Sequence, residues 1–179
     1  MAELGETKVI TVRDLENKIG SKKFINYVEK CETDFKTQVK YISDHVLANQ
    51  EINMVFLSGP TSSGKTTFSN LFTKSLTDAG KKTHLISMDD YYRQCEPQYD
   101  AQGRPDYESI DTIEMELLHE NLMKIQRGES VAIPTFNFKK RSRYFEEQKK
   151  IMPHPNDTFM IEGLHGLSDE LLSYIDQDR

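Results

Sequence analysis

Cysteine is scarce in this chain. Cys31 and Cys95 are too few and too far apart to build a disulfide framework or a zinc site. No apolar run approaches the roughly 18 residues of a membrane span. The polar start "MAELGETK" also lacks the apolar centre of a secretory signal. A cytoplasmic protein with no membrane partner is therefore expected. A basic surplus is missing too: 23 Lys and Arg face 29 Asp and Glu, for a net charge of −6. Dedicated nucleic-acid binders carry the opposite imbalance to displace counterions, so nucleic acid is not an expected partner. Internal repeats and low-complexity segments are likewise absent. With 179 residues, the chain is long enough for one domain with a sizeable core and a short appendage.

Glycine and proline are also missing between Lys22 and Asn49. There Phe24, Val28, Cys31, Phe35, Val39, Ile42 and Val46 recur at spacings of three and four, one apolar stripe on a long helix or helix pair. Packing against the following domain is the expected role of that stripe, with homo-oligomerisation left open. Next, "QEINMVFLSG" reads as a buried strand over Ile52 to Ser58. An amphipathic helix with Phe68, Leu71, Phe72 and Leu76 on one face follows, stopped at Gly80. "KKTHLISMDDYYR" repeats the plan of an apolar strand with polar residues at its carboxyl end. Arg93 to Tyr107 reads as a loop. Asp111 and Glu114 form a capping-box pattern before a helix carrying Ile113, Leu117, Leu118, Leu122 and Ile125. "SVAIPTFNF" begins as a strand, "KKRSRYFEEQKK" reads as a charged excursion, and "DTFMIEG" as another buried strand. Strands alternating with helices imply an α/β fold with a parallel sheet and ligands at the carboxyl ends of its strands.

The unusual polar residues gather at those strand ends. "GPTSSGKT" matches G-x-x-x-x-G-K-[ST] in full, with a strand before it and a helix after it. Gly59 and Gly64 let the backbone wrap closely around phosphate groups. Amides of the loop, through Thr61, Ser62, Ser63 and Thr67, and the positive end of the helix stabilise their charge. Lys65 is expected to reach the β- and γ-phosphates of ATP, and the Thr66 hydroxyl to ligate Mg²⁺. Glu162 ends an apolar strand as a Walker-B-like carboxylate, placed to hold Mg²⁺ or its water. Asp89 stands at the end of the strand after the glycine-loop helix. It is read as the base that accepts a hydroxyl's proton, with a share in the metal shell. Its neighbour Asp90 is read as a helix cap or a solvated carboxylate. No N-K-x-D motif is present, which weighs against a GTPase switch, and the five histidines show no metal-ligand spacing.

Five segments, "GPTSSGKTTF", "ISMDDYYR", "PDYESIDTIEMEL", "IPTFNFKKRSR" and "MIEGLHGL", occur in the order and approximate spacing of a known family. From about Ile52 to Leu171 the chain resembles the uridine kinase and phosphoribulokinase-like P-loop kinases. The likeness is nearest to the uridine kinase branch that follows threonyl-tRNA-synthetase-like domains. It implies a P-loop NTPase three-layer sandwich in which 1–50 is an N-terminal helical connector and 51–179 a C-terminally incomplete kinase core. It also implies ATP-dependent phosphorylation of a small-molecule nucleoside at its 5′-hydroxyl. Carried over by position, Asp89 matches the base and Tyr92 the aromatic lining of the acceptor site. Tyr107 and Glu108 match an aromatic–acid pair that holds the sugar.

Two departures from the family pattern matter. Phe136 and Arg141 stand where uridine kinases commonly read the base with Tyr and His, so stacking is retained while hydrogen-bond readout changes. Arg141 and Arg143 read either as phosphate contacts or as part of a solvated charge run, and Lys139, Lys140, Lys149 and Lys150 as solvated. The second departure is that the chain ends soon after "GLHGLSDELL", before the arginine-bearing lid and last strands of the family. Beside the nucleoside kinase, two readings stay open. One is a P-loop kinase for a sugar phosphate or pantothenate; the other is a non-catalytic nucleotide-sensing module.

Overall fold

"TFMIEG" is apolar from Phe159 to Ile161, and it forms the strand that both other strands of the main sheet flank. The computed structural model describes residues 9–96, 98–99, 101–173 and 175; the polar start 1–8 and the end 176–179 lie outside them. Two compact units divide the chain, Met1–Tyr41 and Ile42–Arg179.

In the first unit, α1 (Val12–Glu16) is opened by Thr11 in a reciprocal capping box. The Thr11 hydroxyl accepts from the Asp14 amide at 3.1 Å, and Asp14 accepts from the Thr11 amide at 3.0 Å. Helix α2 (Ser21–Ala48) matches the long helix expected from the glycine- and proline-free stretch, and runs from this unit into the second. Its apolar stripe is unevenly covered. Phe24 and Val28 are exposed, whereas Val46 and its neighbour Ser43 in the larger unit are buried.

The second unit holds the sheet. Strand β1 (Met54–Ser58) leads through the glycine loop into α3 (Lys65–Asp78), and β2 (Thr83–Ser87) follows. A 3₁₀ turn over Met88–Tyr91 leads to a two-residue hairpin, β3 (Gln98–Tyr99) and β4 (Pro105–Asp106), inside the segment expected to be loop. A second 3₁₀ turn, Ile110–Thr112, precedes α4 (Met115–Gln126). Then come β5 (Val131–Asn137), β6 (Ser142–Ile151), β7 (Thr158–Gly163) and the short α5 (Asp169–Leu172). Strands β1, β7 and β2 form a parallel sheet in the order β1-β7-β2, and β5 pairs antiparallel with β6.

Burial explains the layering. Alternate residues of a strand face opposite sides. Phe159 and Ile161 join the core cluster that contains Leu118, Leu122 and Ile125 of α4. Met160, between them, is also buried, and α3 packs on β2 and β7 with Phe72 and Leu76 fully buried. A central strand covered on both faces reads as an unbroken apolar run, which is why β7 was visible in the sequence. Gly80 ends α3 with φ of +83°, a backbone region most side chains avoid, and the amide of Lys81 returns to the Leu76 carbonyl at 2.9 Å.

Two expectations need correction. "KKRSRYFEEQKK" contributes most of a ten-residue strand rather than an excursion. Asp111 and Glu114 make no capping box: Glu114 caps α4 without a side-chain hydrogen bond, because its carboxylate is engaged by Arg143, and Asp111 sits in a turn capped by the Ser109 hydroxyl.

At the amino-terminal edge of the sheet, His84 Nε2 meets Asp157 Oδ2 at 2.8 Å and the His84 ring stacks on Phe159. Asp157 is buried and also accepts from the His154 amide. Asp157→Ala would leave His84 without this partner in a nearly dry site. It should lower unfolding stability by about 2 kcal/mol, read from the urea midpoint, while leaving nucleotide affinity unchanged.

Candidate active site

The register of the parallel sheet assembles the first half of the site. Glu162 of β7 lies opposite Leu57 of β1 on one side and Ser87 of β2 on the other. The Ser87 hydroxyl donates to Glu162 Oε1 at 2.9 Å, fixing that carboxylate at the carboxyl end of the sheet. The glycine loop leaves β1 one residue beyond Leu57 and Ser58. Asp89 stands two residues beyond Ser87. Glu162, Asp89 and the glycine loop thus converge because three parallel strands end at one level.

The loop itself is tightly folded. A Cβ on Gly59 would lie 2.7 Å from the Ser63 hydroxyl oxygen. Ser62 and Gly64 both adopt left-handed conformations, with φ of 63° and 94°. Gly64 is the N-cap of α3 and supplies no side-chain acceptor, so the amides of the first turn keep their donors for a ligand. Lys65 Nζ folds across the loop and donates to the carbonyls of Gly59 at 2.7 Å and Pro60 at 3.0 Å. Thr61, Ser62, Ser63, Thr66 and Thr67 are exposed along the loop and the helix start. Two other glycines are required by packing. A Cβ at Gly166 would come within 2.6 Å of the Leu57 carbonyl, and one at Gly163 within 2.7 Å of Met88 Cβ.

Electrostatics bind Asp89 to this group. Burial pushes its carboxyl above the ordinary carboxylate range. The charge of Glu162 raises it further, Lys65 pulls it back, and Asp90 adds a smaller upward push.

The second half is aromatic. Tyr92 packs against Phe136 and Phe138 at centroid distances of 5.6 and 5.5 Å, and Phe136 meets Phe138 edge-on at 5.1 Å. The Tyr92 hydroxyl donates to the Tyr107 carbonyl at 3.0 Å. Burial pushes the Tyr92 phenol up, and the charges of Asp89 and Glu108 add to the shift. Two cavities of about 500 and 370 Å³ open here, and Tyr92, Tyr107 and Arg141 line both.

Arg141 is neither a free cation nor part of a solvated run. It adopts φ of 48°, donates to the Cys95 carbonyl at 2.7 Å, and stands over the Tyr107 ring at 5.4 Å. Arg143 is ion-paired with Glu114. Glu108 is exposed; its amide is held by Asp106 Oδ1 and its carbonyl accepts from His165 Nε2 at 2.8 Å. Asp90, expected to cap a helix or be solvated, and Lys149, expected to be solvated, form a partly buried ion pair at 2.9 Å.

Sequence reading missed Phe138 and His165. Phe138 lies beyond the apolar alternation of β5. His165 belongs to "EGLHG", and its ring bonds a backbone carbonyl 57 residues earlier, which leaves no trace in side-chain spacing.

A strand, a glycine loop closed over a lysine, and acids on neighbouring strand ends define a P-loop nucleotide-binding fold. Residues 54–177 match the Phosphoribulokinase / Uridine kinase family. The chain belongs to that family of P-loop kinases. Among curated relatives, a uridine kinase of Halobacterium salinarum is 26% identical over 118 residues, covering 65% of this chain and 50% of the relative. A uridine kinase of Staphylococcus haemolyticus is 28% identical over 140 residues, covering 74% and 64%. This chain therefore spans between half and two thirds of the length of these relatives. The fold is similar to that of a possible uridine kinase from Bacillus stearothermophilus. That match has a TM-score of 0.65 and 18% identity, and covers 80% of this chain and 78% of the other.

Proposed function

We propose that this chain is the core of an ATP-dependent nucleoside kinase, with 1–50 as a helical connector to it. The observation that carries this reading is the position of Asp89. It shares one electrostatic neighbourhood with Lys65 and Glu162, and its charge also reaches Tyr92, which lines both aromatic cavities. In the proposed reaction a 5′-hydroxyl oxygen forms a bond to the γ-phosphorus of ATP while the bond to the β–γ bridging oxygen breaks. Asp89 accepts the hydroxyl proton, and Lys65 and the loop amides hold the charge gathering on the phosphate oxygens. Tyr92, Tyr107, Phe136 and Arg141 surround the acceptor, with the Glu108 carboxylate available to sugar hydroxyls.

The family implies a divalent cation. The donors fit a hard ion: the Thr66 hydroxyl and the carboxylates of Glu162 and Asp89, whose like charges help to push the Asp89 carboxyl up. Among the described residues no group of three or more His, Cys, Asp or Glu is placed to hold a metal ion by itself, so phosphate oxygens of a nucleotide would complete the set for Mg²⁺. Bound there, Mg²⁺ would neutralise charge on the bridging phosphates.

One observation favours a second acceptor class. Lys139 joins Arg141 around the smaller cavity, and two cations suit an anionic acceptor such as a sugar phosphate or pantothenate. Measuring ADP release with a panel of nucleosides, sugar phosphates and pantothenate, and identifying the product by mass, separates these classes. A phosphorylated nucleoside is the expected product. Tight ATP binding with no acceptor turned over would instead leave a nucleotide-sensing module.

A further inference from the structure

The aspartate after the proposed base has a task that the reaction does not require of it. Asp90 projects from the Met88–Tyr91 turn toward the β5–β6 hairpin. Its Oδ1 accepts the backbone N–H of Phe136 at 3.0 Å, and its Oδ2 pairs with Lys149 Nζ at 2.9 Å. Phe136 lies in β5 and Lys149 in β6, so one carboxylate grips both strands of the hairpin. The bond to Phe136 is made by the backbone of a residue whose ring lines the smaller cavity. The bond to Lys149 is partly buried, with the aspartate side chain 22% exposed, and charge-assisted bonds in such places are stronger than surface pairs.

Sequence separation makes the arrangement informative. Phe136 and Lys149 lie 46 and 59 residues beyond Asp90. The hairpin forms its own two-stranded sheet and shares no ladder with β1, β7 and β2. Apolar packing of Val131, Ile133 and Ile151 against the core holds it in place, and side-chain ties add direction to that packing. The Glu114–Arg143 pair and the bond from the Arg143 amide to Gln94 are further ties, and they fasten the hairpin to α4 and the loop before β3. Asp90, the residue next to Asp89, ties the hairpin directly to the turn that carries the proposed base.

We infer that Asp90 is a positioning residue that holds the acceptor-binding hairpin in register with the proposed base, acting through the Phe136 amide and Lys149. This rests on the nucleoside kinase reading for its effect on turnover, though not for its effect on the hairpin. The variants separate the two bonds. Asp90→Asn keeps an acceptor for the Phe136 amide and loses the ion pair. Asp90→Ala loses both, and Lys149→Met removes only the cation.

Two measurements on the chain decide the matter. In hydrogen exchange without ligand, the Phe136 amide should exchange at least about tenfold faster in Asp90→Ala and stay near wild type in Asp90→Asn. In steady-state assays with uridine and ATP, Asp90→Ala should raise KM for uridine about tenfold. Asp90→Asn and Lys149→Met should raise it less, with KM for ATP within about twofold throughout. Unchanged Phe136 exchange in Asp90→Ala would overturn the inference. So would constants for ATP and uridine that move together, which would mark general loosening of the fold. Should wild type turn over no uridine, the kinase reading fails, and the exchange experiment still decides whether Asp90 holds the hairpin. Lys149→Met guards against an alanine variant that folds poorly, since faster exchange across β6 is expected from it alone.

Discussion

Asp89→Asn should lower nucleoside phosphorylation by about 10²–10⁴-fold while making the ligand-free protein harder to unfold. Both effects come from one carboxylate. Asparagine keeps the size and polarity of the side chain but cannot take the acceptor's proton, so kcat falls with little change in KM for ATP. The stability effect follows from the raised Asp89 carboxyl. Burial and the neighbouring Glu162 and Asp90 charges penalise its ionised form in the fold more than in the unfolded chain. A group shifted upward supports the fold fully only below its unfolded pKa, and that support is lost as pH rises through the folded value. At neutral pH the wild type bears the cost and Asp89→Asn does not. Melting temperatures measured in EDTA should therefore favour the variant at pH 7.5, with the gap closing toward pH 4. A variant that retains full activity would remove Asp89 as the base. A variant less stable at pH 7.5 would contradict its electrostatic setting.

Lys65→Met should reduce turnover by about 10²–10³-fold, the scale seen when one preorganised donor to a developing anion is removed. Methionine preserves most of the side chain's length and apolar stem, so the start of α3 should persist. In the structure the ammonium is held by the carbonyls of Gly59 and Pro60, which aim it across the loop rather than into solvent. Losing it also removes the cation that pulls the Asp89 carboxyl back down. The measurement is a comparison of kcat and of ATP affinity by calorimetry. Unaltered ATP affinity together with unaltered kcat would show that the glycine loop holds something other than a triphosphate. The two variants differ in a useful way: Lys65→Met should weaken nucleotide binding, whereas Asp89→Asn should spare it.

Legibility followed locality. The helix over the glycine-free stretch, β1 and its loop, α3 with Phe72 and Leu76, and the apolar β7 were all readable because each pattern lies within one short window. Asp89 and Glu162 were readable as strand-end acids for the same reason, although their meeting depends on the parallel register that places Glu162 opposite Ser87. Strand β6 was hidden because its residues gain little from alternation. Tyr144 and Phe145 are both exposed, and the charged residues beyond them serve ion pairs rather than a buried face. Asp90 looked like a helix cap or a solvated carboxylate, and Lys149 like a solvated cation, since nothing in either neighbourhood announces a partner 59 residues away. The capping pattern at Asp111 and Glu114 failed for a related reason, as Arg143 draws the Glu114 carboxylate away from the helix it precedes.

Gly163 has a bearing on chemistry though it carries no functional group. It closes the central strand directly beneath Met88, leaving no room for even one methyl. Any larger residue would have to displace Met88 and, with it, the turn that carries Asp89. The floor under Asp89 is thus set by a missing side chain, and in the proposed reaction the span between donor phosphate and receiving hydroxyl would inherit that measure.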